Sequence, residues 1–197
     1  MITHSVITHL STEELEAGLA EVRRSPGDAG PVVLLVRRPQ VEVRESLQEA
    51  TLDLVEGLAG DNWLTKGSSS TPDGLANPEA QLTIMNVRLA SLVAVQSDRR
   101  ILAGDQVYAD LDLSIENLPP GTLLRLGTAV VEVSAKPHTG CSKFVARFGG
   151  EAMRFVNSPT GRQLRLRGMN TRVVTPGTVR IGDVISKTGT AMGGEAG

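Results

Sequence analysis

Short apolar runs, many of them alternating, dominate this chain, and only a few stretches carry helical spacing. Residues 32–36 form a continuous apolar run, the pattern of a buried strand, which Pro39 ends. Strands are also expected at 41–44, 81–85, 111–115, 124–126 and 129–133, with a short one within 1–10. Ser11 followed by Glu14 forms a capping box, and Leu15, Leu19 and Val22 then mark one helical face to about Arg24. A second Ser-x-x-Glu, Ser46 to Glu49, opens a stretch where Leu47, Thr51, Leu54, Val55 and Leu58 suit a helix. Asn86 caps a further helix carrying Leu89, Leu92 and Val93 and ending near Ser97.

Punctuation completes the pattern. Residues 25–31 and 66–74 are rich in Gly, Ser, Pro and Asp and read as loops. Pro120-Gly121-Thr122-Leu123 and Pro176-Gly177-Thr178-Val179 each turn into a short strand ended by glycine, as at a barrel corner. No regular βαβ alternation and no Gly-x-Gly-x-x-Gly is present, which argues against a dinucleotide-binding domain. The expected class is β-rich α+β, a barrel with peripheral helices. Its expected organisation is an N-terminal extension with one helix at 1–30, the barrel at 31–187 and a disordered tail at 188–197.

Composition narrows the function classes. With 20 Lys plus Arg against 22 Asp plus Glu, the net charge is −2, which offers no whole-chain attraction for nucleic acid. One Trp, one Tyr and three Phe leave little for base stacking. No apolar run approaches the roughly 20 residues that span a bilayer, and the first residues lack the charged and apolar regions of a secretory leader. A soluble, cytoplasmic protein that binds neither nucleic acid nor membrane is expected. The single cysteine excludes an internal disulfide and a multi-cysteine zinc site.

That cysteine, Cys141, stands in Lys-Pro-His-Thr-Gly-Cys-Ser-Lys-Phe, between the alternating run 129–133 and a helical stripe of Val145, Phe148, Ala152 and Phe155. Pro137 and Gly140 break the chain between the two, so the thiol belongs at the first turn of a helix. Free backbone N–H groups and the positive end of the helix dipole favour an anion there. Lys136, Lys143 and His138 can add positive charge, surroundings that favour a nucleophilic thiolate. The same cysteine, on one stripe with Val145 and Phe148, also suits a small buried hydrophobe. Both readings stay open on local sequence.

The chain resembles the MOSC domain, the family named for the C-terminal domain of molybdenum-cofactor sulfurases. The resemblance rests on an ordered set of short fragments over roughly residues 30–187. They are Gly60-Asp61, Pro137-His138-Thr139-Gly140-Cys141-Ser142-Lys143-Phe144, Arg147-Phe148-Gly149, Leu166-Arg167-Gly168-Met169-Asn170, Val173-Val174-Thr175-Pro176-Gly177 and Gly182-Asp183. It implies a β-barrel ringed by helices and one functional cysteine, Cys141, that ligates molybdenum or carries sulfur as a persulfide. The implied cofactor is the molybdenum cofactor (molybdopterin), which need not survive purification. Lys143, Arg147 and Arg167 are then partners for a pterin phosphate or a molybdate oxygen. His138 is a candidate base for the thiol, and Asp61 a candidate to orient a neighbouring base or cation.

Two features depart from the family pattern. A His-Gly-Gly-type stretch after Gly-Asp is replaced by residues 66–77, which hold no histidine. A Glu-Asn pair stands here as Ala109-Asp110. The aminotransferase-like domain of full sulfurases is absent from the sequence, so a stand-alone domain is expected. Its sulfur would then come from a cysteine desulfurase, or its electrons from a redox partner. The alternative is a binding module with a structural cysteine. Oligomeric state is not legible.

Overall fold

A computed structural model describes residues 8–190. In chain order the elements are α1 (Thr12–Val22), β1 (Gly30–Arg37), β2 (Glu45–Leu47), β3 (Glu49–Asp53), β4 (Gly57–Leu58), α2 (Trp63–Lys66), β5 (Leu82–Asn86), α3 (Val87–Ala94) and β6 (Val107–Ala109). There follow β7 (Thr122–Leu126), β8 (Ala129–Val133), α4 (Ser142–Asn157), α5 (Pro159–Gln163), β9 (Met169–Thr175), β10 (Gly177–Arg180) and β11 (Val184–Thr190). Single 3-10 segments lie at Pro78–Ala80 and Ser97–Ala103.

Seven strands close a barrel in the order β1-β11-β7-β8-β9-β5-β6 and back to β1, with β2 added alongside β1. The β5–β6 pair is parallel and its neighbours are antiparallel. A parallel pair needs a crossover, and α3 with the 3-10 segment after it supplies one. β10, β3 and β4 form a separate small sheet. The expected β-rich barrel with peripheral helices is the observed fold.

Period two along the strands sorts side chains into two cores. Leu35, Leu82, Ile84, Val107, Leu124 and Val131 fill the barrel, and the small sheet closes it with Ala50, Leu52, Leu58 and Val179. The alternate positions Val36, Met85 and Tyr108 point outward and pack under α1, α3 and α4, against Leu15, Leu89, Phe144 and Phe148. α1 is thus part of the second core. Its capping box forms as the sequence predicts, with Ser11 accepting from the Glu14 amide and Glu14 from the Ser11 amide. Asn86 likewise caps α3, accepting from the Arg88 and Leu89 amides.

Several expectations fail, for identifiable reasons. Residues 46–58 are not a helix: the burial of β3 alternates, with Ala50 and Leu52 inside and Glu49 and Thr51 outside. The period of two wins over the accidental capping box, and β10 pairs with β3 to fix it. Residues 41–44 are a turn, in which Glu42 takes a φ of +65°. Residues 111–115 form no strand, because the Asp112 carboxylate turns the chain by accepting from Ser114 N and Ser114 Oγ. Residues 188–190 belong to β11 rather than to a tail. The rest of the expected tail, 191–197, and most of the expected first strand lie outside the described residues, while 8–10 are not strand.

α4 corrects the cysteine's surroundings. It consists of two helical segments that meet at Gly149, whose φ of +87° and ψ of 166° break the period. The buried face is Phe144, Phe148, Ala152, Phe155 and Val156, while Val145 is 38% exposed. Cys141 is the N-cap of α4, exposed and off the buried stripe. The reading of Cys141 as a buried hydrophobe is therefore excluded. Among the described residues no helix is long and apolar enough to cross a membrane.

The turn into β9 is sterically fixed. Gly168 has a φ of +98°, and a Cβ there would lie 2.6 Å from the Ile84 carbonyl oxygen. Gly168→Ala is expected to lower stability by about 2 kcal/mol or more, from the backbone conformation and the contact together. Urea unfolding monitored by circular dichroism measures it, and an unchanged midpoint contradicts it.

Candidate functional site

Cys141 opens onto a cleft of about 190 Å³ between the 38–44 turn, the start of α4 and the segments before β6 and β9. Six cationic side chains line it: Arg38, Arg44, Lys66, Lys143, Arg147 and Arg167. Glu42 is the one carboxylate on its wall. A second lobe of about 250 Å³ shares Arg38, Asn62, Lys66 and His138 with it and adds Trp63, Asn77, Thr83 and Asn170.

Two buried carboxylates hold the floor. Asp105, 0% exposed by side chain, receives Arg167 Nη1 at 2.6 Å, and Arg167 Nη2 donates to Ala103 O at 2.8 Å. Arg167 also stacks over the Phe144 ring, 5.2 Å from its centroid, which ties the floor to the helix that carries the thiol. Asp61, equally buried, accepts from Arg38 N and Nε at 2.9 Å, Arg38 Nη2 at 2.7 Å and Trp63 N at 3.0 Å. With both oxygens so committed, Asp61 orients Arg38 and does not itself line the cleft.

Lys143 and Arg147 sit one turn apart on α4 and share one counter-charge. Lys143 Nζ lies 2.6 Å from one oxygen of Glu42, and Arg147 Nη2 lies 2.5 Å from the other. Lys143 first, then Arg147, hold the Glu42 carboxyl down to about 2. Arg147 Nη1 donates in addition to Leu102 O. The remaining cations are less well matched. Burial first, then Arg147 and Arg38, push the Arg44 guanidinium down. Burial first, then Arg38 and Lys143, push Lys66 down.

His138 lines both lobes, its side chain 18% exposed and its Nδ1 3.4 Å from Asp105 Oδ1. That separation is too long for a good hydrogen bond. Burial, with Arg167 and Arg38 nearby, pushes the imidazole well below its ordinary value. It is therefore neutral at pH 7 and does not add the positive charge that its place in the sequence suggested. Three side-chain nitrogens on the cleft wall are buried without a partner: Arg44 Nε, Arg167 Nε and His138 Nδ1.

Of the residues singled out in the sequence, Cys141, His138, Lys143, Arg147 and Arg167 converge on the cleft, and Asp61 stands behind it. Sequence reasoning missed Arg38, Arg44, Glu42 and Asp105. Glu42 and Arg44 lie in a stretch expected to be a strand, Arg38 follows the apolar run of β1, and Asp105 carries no local motif. The Cys141 side chain makes no capping bond. Among the described residues, no hydrogen bond engages the amides of Ser142 and Lys143.

Fold and site together define a class: a closed mixed β-barrel bearing an exposed cysteine at a helix N-terminus within a cationic cleft. A family model described as the MOSC domain matches residues 109–186. The match contains His138, Cys141, Lys143, Arg147 and Arg167, and not Asp61. A search of curated proteins finds no match.

Among solved structures, the YUAD protein from Bacillus subtilis superposes with a TM-score of 0.53 at 14% identity, over 80% of this chain and 94% of that one. YiiM from Escherichia coli gives 0.51 at 19% identity, over 80% and 69%. A further crystal structure, of a hypothetical protein, gives 0.54 at 21% identity, over 81% and 67%. At these identities the likeness is one of fold.

The neutral, largely enclosed imidazole makes the fold acid-sensitive. The unfolded chain takes up a proton on His138 near its ordinary pKa of about 6.5, and the folded chain does not. This contribution to stability is full above that pH and declines below it by up to about 1.4 kcal/mol per unit. Denaturant titrations at pH 7.0, 6.0 and 5.5 are expected to show a steeper decline for the native protein than for His138→Gln. Equal slopes would contradict it.

Proposed function

We propose that the cleft binds the molybdenum cofactor, with Cys141 as the thiolate ligand and the surrounding cations holding its anionic groups. The observation that carries this reading is the set of buried, unpartnered nitrogens, Arg44 Nε and Arg167 Nε above all, on a wall beside an exposed thiol. Buried donors without acceptors cost free energy that a ligand's oxygens would recover. The residue types fit the group. Guanidinium and ammonium suit phosphate and metal-oxo oxygens, and a thiolate is the soft ligand.

Among the described residues no group of three or more His, Cys, Asp or Glu could hold a bare metal ion. The cofactor meets that shortage, since it brings its own sulfur ligands and supplies two-electron redox chemistry when bound. Around it this chain's residues have separate tasks. Arg38, fixed by Asp61, and Arg167, fixed by Asp105, present pre-oriented donors, and the first-turn amides of α4 add two more. Neutral His138, lining both lobes, can accept a proton from the thiol or from a reactant in the second lobe. Trp63 and the amides of Asn62, Asn77 and Asn170 give that lobe a flat face and hydrogen-bonding groups for a planar polar molecule.

The test is to express the chain in a host that makes the cofactor and assay protein-bound molybdenum and oxidised-pterin fluorescence. Near-equimolar pterin and molybdenum are expected on the native protein, with molybdenum lost from Cys141→Ser. Absence of both from the native protein sinks this reading.

A sulfur-carrier role uses the same exposed thiol: the thiolate attacks the terminal sulfur of a desulfurase persulfide, and the desulfurase thiolate leaves. It predicts a gain of one sulfur atom in the mass of Cys141 after incubation with a cysteine desulfurase and cysteine, reversed by a thiol reductant.

Glu42 already occupies part of the cation cluster, so an incoming anion has to displace it. Glu42→Gln is therefore expected to bind inorganic phosphate roughly fivefold more tightly, the scale of an exposed ion pair. Phosphate protection of Cys141 against iodoacetamide in the folded protein measures it, and unchanged protection would count against the competition.

A further inference from the structure

Next to the thiol cleft, and sharing residues 136–139 with its second lobe, lies a cavity of about 310 Å³, within the range of small-molecule pockets. Its walls are largely apolar, with Ile115, Pro120, Ala135, Pro137, Val156 and Met169 among them. Lys136, Arg162 and Arg165 bring positive charge to it, His138 also lines it, and Cys141 is not on its wall.

Three observations set this cavity apart from a packing defect. Arg165 is half-buried, and its Nη1 donates to the Leu118 carbonyl at 2.6 Å and the Leu113 carbonyl at 3.4 Å, yet no carboxylate pairs with it among the described residues. Burial pushes its guanidinium down, with no opposing charge among the causes. Second, Ser134 is on the cavity wall, only 9% exposed, and its Oγ is buried there without a hydrogen-bond partner. Third, Arg165 holds a φ of +47°, a left-handed conformation uncommon for an arginine. An uncompensated cation and an orphan hydroxyl beside apolar walls call for a ligand with one anionic end and an apolar body.

We propose that this cavity is a second ligand site, taking a small monocarboxylate with an aryl or short acyl body, its carboxylate on Arg165 and Ser134 Oγ. The site is independent of the molybdenum reading and requires no cofactor. Its position gives it a consequence. Residues 136–139 line both this cavity and the second lobe of the thiol cleft. A carboxylate bound here presses on the segment that places His138 and leads into Cys141.

The experiment titrates the cofactor-free protein at constant ionic strength with benzoate, benzamide and benzylamine, followed by thermal shift and by backbone amide NMR. Benzoate is expected to bind at least tenfold more tightly than benzamide, with benzylamine silent and saturable shifts concentrated at 134–139 and Met169. Arg165→Gln should abolish the preference for benzoate. Should that variant fail to fold, Ser134→Ala, a small change, should still weaken benzoate severalfold without moving benzamide. Equal binding of benzoate and benzamide overturns the proposal. So do shifts centred on Lys143 and Arg147, which would place the carboxylate in the thiol cleft, or no saturable shift at all.

Discussion

The buried pair of Asp105 and Arg167 is the contact on which the functional end of the barrel depends. Asp105 precedes β6 and Arg167 precedes β9, strands that flank β5 on either side. Their ion pair closes the end of the barrel below the cysteine. Burial raises the Asp105 carboxyl, and Arg167 pulls it back. Removing one partner from a pair this buried typically costs about 3–5 kcal/mol, because the other charge is left without compensation. Arg167 meanwhile lies over Phe144, so the same guanidinium fixes the first turn of α4 and with it the thiol. Gly168, which only a residue without Cβ can satisfy, sets the turn that delivers Arg167. The reactive group thus stands on a helix whose seating is electrostatic below and aromatic behind, where Phe144 packs on Phe148 at 4.9 Å.

Much of the barrel was legible because strands such as β7 and β8 obey a period of two and Pro-Gly corners open β7 and β10. The failures share one cause: a short local motif was weighed without its long-range partner. Ser46 to Glu49 has every local feature of a helix start, yet β3 is fixed by β10, more than a hundred residues away. Residues 111–115 alternate as a strand would, but Asp112 diverts the backbone before any neighbour can pair. The stripe through Cys141 and Val145 assumed one unbroken helix. Cys141 is instead the extended N-cap outside the helix, and Phe144 rather than Val145 shares the buried face with Phe148.

The site was half legible for a related reason. Residues near the cysteine in sequence, His138, Lys143 and Arg147, could be named because a helix start makes its own chemistry. Arg167 entered through the family pattern. Arg38, Arg44 and Glu42 arrive from a turn after β1, and Asp105 from the approach to β6. Only the barrel's closure brings these segments to the same end, and no spacing in the sequence encodes that meeting. Asp61 shows the converse: the motif is real, but its work is to hold Arg38 rather than to face the cleft.

Charge balance at this end explains how a chain of net charge −2 can still build a strongly cationic pocket. Asp61 and Asp105 are placed beneath the surface, where they neutralise Arg38 and Arg167 in the fold while leaving the cleft wall rich in donors. Glu42 alone stands on the solvent side, and its side chain is 56% exposed, so water screens its hold on Lys143 and Arg147. The two classes of carboxylate have different consequences. Losing a buried one dismantles the site, because an arginine is left uncompensated in a region of low dielectric. Displacing the exposed one merely vacates two cations. A cleft arranged in this way is rigid where it orients and labile where it exchanges its anion. Both properties are needed for a thiol that has to be reached by a charged partner and then held in register with it.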